Sequence, residues 1–315
     1  MAVHRIAPSL ETMRGYFSAE VPPVITIDPG DTLLLQTLDA GWGLEPPHPD
    51  GTPRRSISQP QDAPLEGHAM IGPIAVRGAK PGMALEIRIE QLSPGPYGYT
   101  IGGGFATALN QRLGVADEGR SVLRWELDHE LMQARNQFGL AVPMRPFMGV
   151  IGMPPPEPGA HPSWPPRAWG GNIDCRELVA GSTLWLPVPV AGAYLFVGDG
   201  HAAQGDGEVS GTAIECPMDE VRLTITLRED LALRMPMAET AIGRITFGIH
   251  EDLNEAVGLA LSGMIDLIER EYNLERKQAL AMASVSVDLR ITQLVNSVVG
   301  VHAVLPHNAI RKLDC

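Results

Sequence analysis

Between residues 24 and 248 the chain repeatedly alternates apolar and polar side chains with a period of two, and after residue 252 the period lengthens to that of a helix. Leu85, Ile87 and Ile89 alternate with Glu86, Arg88 and Glu90, and Val221, Leu223, Ile225 and Leu227 alternate with Arg222, Thr224, Thr226 and Arg228. Successive side chains of a strand point to opposite faces, so each run can bury only one face and demands a sheet with a covering layer. Shorter strand-like runs occupy 24–27, 32–37, 74–76, 183–190, 194–197 and 242–247, with glycine- and proline-rich turns such as Asp28-Pro29-Gly30-Asp31 and Lys80-Pro81-Gly82-Met83 between them. Beyond residue 252, Ala256, Val257, Ala260, Leu261, Met264, Ile265 and Ile268 fall on one helical face, and Asp252 with Glu255 resembles a capping box. A second helix is expected over 274–283, then a return to strand where Val285, Val287 and Leu289 alternate with polar neighbours. The expected fold is α+β, with a β-rich sandwich or barrel-like core, a C-terminal helical pair and a final β return. It forms a single domain over 1–315, β-rich over 1–248 and α/β over 249–315.

The run Gly198-Asp199-Gly200-His201-Ala202-Ala203-Gln204-Gly205-Asp206-Gly207-Glu208 places one histidine, three acids and four glycines directly after an apolar strand-like stretch. Burying a strand end beside so many ionisable groups is costly unless a cation or a reacting substrate compensates them. In an extended segment Asp199 and His201 point to one side, and both are good ligands for Zn²⁺. The plainer reading is an Asp/Gly-rich hairpin loop. A second acid-bearing glycine turn, Gly170-Gly171-Asn172-Ile173-Asp174, favours the site. The segment 154–166 is proline-rich and aperiodic, and a loop that long in a compact protein is expected to serve the site or an oligomer contact.

Composition narrows the function classes. With 44% hydrophobic and 19% charged residues the chain is globular and not disordered. A net charge of −13 offers no basic stripe for nucleic acid and argues against anionic membranes. No stretch approaches the roughly 20 apolar residues of a membrane span, and the first residues lack a signal core, so a cytoplasmic protein is expected. Cys175, Cys216 and Cys315 are odd in number and widely spaced, as expected of reduced thiols. Cys175 beside Asp174 is left outside the site, because only Arg176 stands near to lower its pKa. No Gly-x-Ser-x-Gly elbow occurs, which disfavours a serine nucleophile, and no phosphate loop or dinucleotide fingerprint is present.

Six blocks in order, 72–82, 146–152, 170–174, 181–188, 198–208 and 287–296, resemble the acetamidase/formamidase family over most of the chain. The resemblance implies hydrolysis of short linear amides, formamide or acetamide, to acid and ammonia, with some relatives opening lactams. It also implies a β-rich, homo-oligomeric protein associated with a divalent metal, zinc first and calcium second. Carried over residue by residue, it reaches Asp39, His68, Asn172, Asp174, Asp199, His201, Asp206, Glu208 and Glu215. Relatives carry Gly-Pro-His before the Gly-Gly-Asn-x-Asp turn, whereas this chain has Arg167-Ala168-Trp169, so a histidine is replaced by an indole beside the expected site. Relatives also favour Pro-Gly-Asp in the early turn where Met83 stands here, a change expected to be structural.

Amide hydrolysis needs carbonyl polarisation, a nucleophile and a proton for the leaving nitrogen; a metal can supply the first two and a carboxylic acid the third. The expected metal ligands are a subset of Asp39, His68, Asp174, Asp199 and His201. The expected catalytic acids are Glu208, Glu215 and Asp206, with the choice between the two glutamates as acid/base left open. Asn172, Trp169 and Gln204 are the expected substrate contacts. Asp39 equally reads as the cap of the turn that ends its strand, and His68 as a hydrogen-bonded histidine of the core. Asp206 and Glu208 could instead hold the glycine loop by accepting backbone N–H groups. Two other readings remain: a relative that cleaves a lactam or larger amide, and a binding protein that keeps the metal without turnover.

Overall fold

The computed structural model describes residues 1–60, 63–117 and 119–312; Cys315 lies outside them. Two open sheets share one hydrophobic core. Neither closes into a barrel, so of the two expected cores the sandwich is the one present. The nine-stranded sheet runs Val3–Ile6, Thr32–Thr37, Met218–Arg228, Ala84–Pro94, Thr183–Pro187, Met237–Thr240, Gly243–His250, Val298–Pro306 and Asp288–Asn296. Its central pair is the two runs with the clearest period-two pattern, Ala84–Pro94 against Met218–Arg228, and their apolar series Leu85, Ile87, Ile89, Val221, Leu223 and Ile225 is buried. At roughly 25 cal/mol per Å² of apolar surface, each such side chain contributes about 1.5–3 kcal/mol of transfer free energy, which is why the register cannot slip by one.

The second sheet has eleven strands, with Leu195–His201 at its middle between Phe147–Gly152 on one edge and both Met70–Val76 and Glu215–Cys216 on the other. The apolar stretch preceding the glycine run is therefore two strands in two sheets, Thr183–Pro187 and Leu195–His201, and not one. Every residue of Leu195–His201 is buried, and burial on both faces removes the alternation that would mark a strand. Gly198, Asp199, Gly200 and His201 thus sit in the strand, and the irregular loop begins only at Ala202.

The helix Leu253–Tyr272 lies on the nine-stranded sheet, with Ala256, Ala260, Met264 and Ile268 packed against Val301, Ala303 and Leu305. A Cβ at Gly248 would collide with the Ala256 carbonyl oxygen, so glycine is what allows the helix backbone this close to the strand. Asp252 caps the helix by accepting from the N–H groups of Asn254 and Glu255, but its own N–H donates to His250 Nδ1 at 3.0 Å, so the reciprocal box is not formed there. The reciprocal box instead opens the second helix, Arg276–Ser286, between Glu275 and Gln278. That helix takes in Val285, and the β return starts at Asp288.

Candidate metal centre and active site

Five side chains from four parts of the second sheet and its loops meet in one buried cluster. His201 ends the central strand, with Asp199 two residues before it and Glu215 opposite it across the sheet. Asp174 follows the short strand Gly170–Asn172, and Glu208 comes from the glycine loop. Asp174, Asp199 and His201 offer ligand atoms within 4.8 Å of one another, and so do His201, Glu208 and Glu215.

The imidazole orders the cluster. Gln204 Nε2 donates to the Asp174 carbonyl oxygen at 2.8 Å, which only accepts, so Gln204 Oε1 is the atom turned to His201 Nδ1 at 3.1 Å. His201 Nδ1 therefore carries the proton, and Nε2 faces Asp199 Oδ1 and Glu215 Oε2, each at 3.2 Å. Asn296 Nδ2 holds Asp174 Oδ2 at 2.6 Å, and the Ala213 N–H holds Glu215 Oε1 at 2.8 Å. The opposite atoms, Asp174 Oδ1, His201 Nε2, Glu208 Oε2 and Glu215 Oε2, are buried without a hydrogen-bond partner among the described residues, as is Asn172 Oδ1.

Burial and mutual repulsion set the charge state. Desolvation first, then the neighbouring acids, push Asp174 up to about 8 and Glu215 up to about 7, and raise Glu208 well above the carboxylate range. Asp199 is held low despite its burial, chiefly because charge on the neighbouring His201 and His68 imidazoles favours its carboxylate. Burial opposes the charged form of His201, but Glu215 and Asp199 raise its pKa well above the usual imidazole value. Four acids around one imidazole leave a negative excess that protons or a cation must balance.

The backbone is bent to reach this arrangement. Asp174, Asp199 and Glu208 all have left-handed φ, at 53°, 60° and 45°. A non-glycine residue there costs on the order of 1–3 kcal/mol, and such positions concentrate at functional sites. Gly149 closes the cluster from the neighbouring strand. A Cβ on it would lie 2.5 Å from Asp199 Oδ2, 2.7 Å from Asp174 Oδ1 and 2.8 Å from His201 Cε1.

The other expected residues fall at varying distances from this centre. His68 lies beside it, with Nδ1 2.9 Å from Ser163 Oγ, its ring against Trp164, and a pKa lowered by burial. Asp39 is fully buried but held by the two guanidinium nitrogens of Arg54 at 2.7 Å each and by the N–H groups of Gly41 and Gly43, so its carboxylate is taken up in an ion pair. Asp206 is turned toward Arg290, 3.9 Å away, on the outer side of the loop. Trp169 packs against the hydrophobic core, and Gln204 contacts His201 and Asp174. Burial pushes the Cys175 thiol up to about 12, which keeps it unreactive.

Beside the cluster opens a cavity of about 480 Å³, into which Asn172, Asp199, Glu208, Glu215 and His68 project. Its remaining wall includes residues that no motif had singled out: Trp164, Tyr99 and Asn296. Asn296 ends the last matching block and Trp164 lies in the aperiodic 154–166 segment, so both were marked as regions but not as side chains. No helix of the described residues is long and apolar enough to cross a membrane.

The sequence profile of the Acetamidase/Formamidase family matches residues 7–160 and 156–310. A putative formamidase of Schizosaccharomyces pombe is 25% identical over 279 residues, covering 69% of this chain; the matched stretch spans 65% of that relative's length. Among solved structures, a recombinant predicted acetamidase/formamidase from Thermoanaerobacter tengcongensis superposes with a TM-score of 0.84 at 26% identity, covering 97% of this chain and 96% of that one. An acetamidase from Yersinia enterocolitica superposes with a TM-score of 0.83 at 26% identity, covering 98% and 93%.

Proposed function

The chain belongs to the acetamidase/formamidase family, and from that premise we propose that it hydrolyses the C–N bond of primary amides to a carboxylic acid and ammonia, using a divalent cation held by Asp199, His201, Glu215 and Asp174. Formamide and acetamide are the smallest members of that substrate class. The observation that carries this reading is the set of partnerless buried atoms around His201, namely Nε2 itself, Glu215 Oε2, Asp174 Oδ1 and Glu208 Oε2. Buried polar atoms are rarely left unpaired, and here several converge on one volume with the donor chemistry of a metal site. An imidazole among carboxylates favours zinc; the four carboxylates favour calcium as the second reading. Gln204, through its bond to Nδ1, fixes the tautomer that leaves the Nε2 lone pair free for a cation.

A cation bound there supplies Lewis-acid polarisation of the amide carbonyl and acidifies water at neutral pH. The side chains account for the rest. Asn172 Oδ1, buried, partnerless and lining the cavity, accepts an N–H of the substrate amide and turns its carbonyl toward the acids. Glu208 lies at the cavity wall, with burial and neighbouring acids keeping its proton available. It gives that proton to the amide nitrogen as the C–N bond breaks and recovers one from the water whose oxygen forms the new C–O bond. Glu215 is given the ligand role, because one of its oxygens is locked by the Ala213 N–H and the other faces His201 Nε2. Asp39 has a structural role in this reading, as the partner of Arg54.

The test is ammonia release from a panel of primary amides by the protein as isolated, after chelation and after zinc or calcium is returned, with elemental analysis alongside. Glu208→Gln is expected to keep the metal and lose turnover by about 10²–10⁴-fold, and Glu215→Gln to lose the metal. A chelated protein with undiminished activity would overturn the proposal.

A further inference from the structure

Formamide and acetamide are small for the cavity that serves the acids. Acetamide has four heavy atoms and, at roughly the 30 Å³ each that a water takes up in the liquid, occupies about 120 Å³, against about 480 Å³ of space. The cavity's lining is also mixed in character, acids and apolar rings together. Asn172, Asp199, Glu208 and Glu215 project into it at the cluster, while Tyr99, Ile101, Phe105, Leu109, Trp164 and Val295 make much of the remaining wall. Trp164 stands out, since an indole left 49% exposed is positioned directly against His68, ring centroids 4.4 Å apart at 64°. The Arg120 guanidinium, which also lines the cavity, stacks 4.4 Å from the Phe105 ring centroid.

A small amide would leave those surfaces wet and draw no binding energy from them, whereas a ring on the acyl group would dehydrate them. Resting on the amidase reading above, we propose that this pocket selects primary amides whose acyl group carries an aromatic ring or a comparably bulky apolar group, seated between Trp164 and Phe105 with the amide turned to Asn172. Phenylacetamide, with ten heavy atoms and about 300 Å³ at the same share, is the simplest probe of that class. The ring is bound equally in ground and transition states, so its effect falls on KM more than on kcat.

The experiment compares kcat and KM for formamide, acetamide and phenylacetamide, and in parallel measures binding of phenylacetate and acetate by calorimetry, which needs no turnover. One buried methylene is worth about tenfold or more in specificity, so the expected preference for phenylacetamide in kcat/KM is at least about 100-fold, carried by KM. Trp164→Ala and Phe105→Ala, both partly exposed positions, should each reduce that ratio about tenfold. Equal or better use of acetamide overturns the proposal and leaves the amidase reading intact. Tight phenylacetate binding that Trp164→Ala weakens, without ammonia from any amide, supports the pocket assignment and overturns the amidase reading. Neither turnover nor selective binding of phenylacetate overturns both.

Discussion

Replacing Gly149 by alanine tests whether the acid cluster is built around a fixed volume. Gly149 is not at a positive φ, so alanine adopts its backbone without strain, and the smaller entropy of the unfolded chain would by itself stabilise the variant by about 0.4–1 kcal/mol. The added methyl, however, lies 2.5 to 2.8 Å from Asp199, Asp174 and His201, where ordinary contacts are about 3.5–4.0 Å. About 1 Å must be found. The strand Phe147–Gly152 cannot supply it, because it is paired with Leu195–His201 on one edge and Gly170–Asn172 on the other. The three ligand side chains must therefore move. Overpacking of this kind costs about 1–3 kcal/mol, or a fall in Tm of about 1.5–4.5 °C at this chain length. A 1 Å misplacement of reacting groups costs about 10²-fold in rate, and disturbed ligand geometry about 10–100-fold in metal affinity. Thermal unfolding, elemental analysis and ammonia release on the same preparation read all three. A Gly149→Ala protein with wild-type Tm, metal content and turnover would refute the proposed cation cradle.

Gln204→Leu removes the acceptor of His201 Nδ1–H and is expected to weaken metal binding about 10–100-fold; unchanged affinity in a chelator competition would dismiss the tautomer argument. Arg54→Met leaves the Asp39 carboxylate buried and uncompensated, at a cost of about 3–5 kcal/mol in urea unfolding, most of it recovered in the double variant with Asp39→Leu; a fully stable Arg54→Met protein would argue against the ion pair as the role of Asp39. His302 is buried with Nδ1 against Thr292 Oγ1 and its pKa lowered by burial from 6.5 to about 4. The unfolded chain then binds the extra proton first, so this stability is complete above about pH 6.5 and is lost as pH falls toward 4, with about 2 kcal/mol gone by pH 5. His302→Phe should flatten that part of the pH–stability curve, and an unaltered difference between pH 7.5 and pH 5 would rule out His302 as its source.

What was legible in the sequence followed from short-range periodicity. Strands buried on one face, such as Ala84–Pro94 and Met218–Arg228, announced themselves by alternation, and the helix beginning after Asp252 by its apolar stripe. The strand carrying Asp199 and His201 shows no alternation, because it is buried on both sides and rich in glycine, which left a hairpin loop open as the plainer reading; it is a strand only by virtue of its partners. The same holds for Gly170–Asn172. Within the site, the acids and His201 were legible as residue types crowded into motifs. Their division of labour was not, since it depends on pairings such as Asp39 with Arg54 and Asp174 with Asn296, 122 positions apart. Trp169 drew attention by replacing a histidine, yet it packs into the core, and Trp164, five residues earlier, is the indole that faces the cavity.

The loop bearing Glu208 is stitched to the far end of the chain. Gly207 donates its N–H to Thr292 O at 3.0 Å and accepts from the Leu294 N–H at 3.1 Å, while Asn296 grips Asp174. During synthesis on the ribosome, every charged member of the centre emerges well before the strand Asp288–Asn296 that pins the loop in place. A growing chain would therefore carry its acids long before it could organise them, and under the proposed metal reading ion capture would be among the last events of maturation.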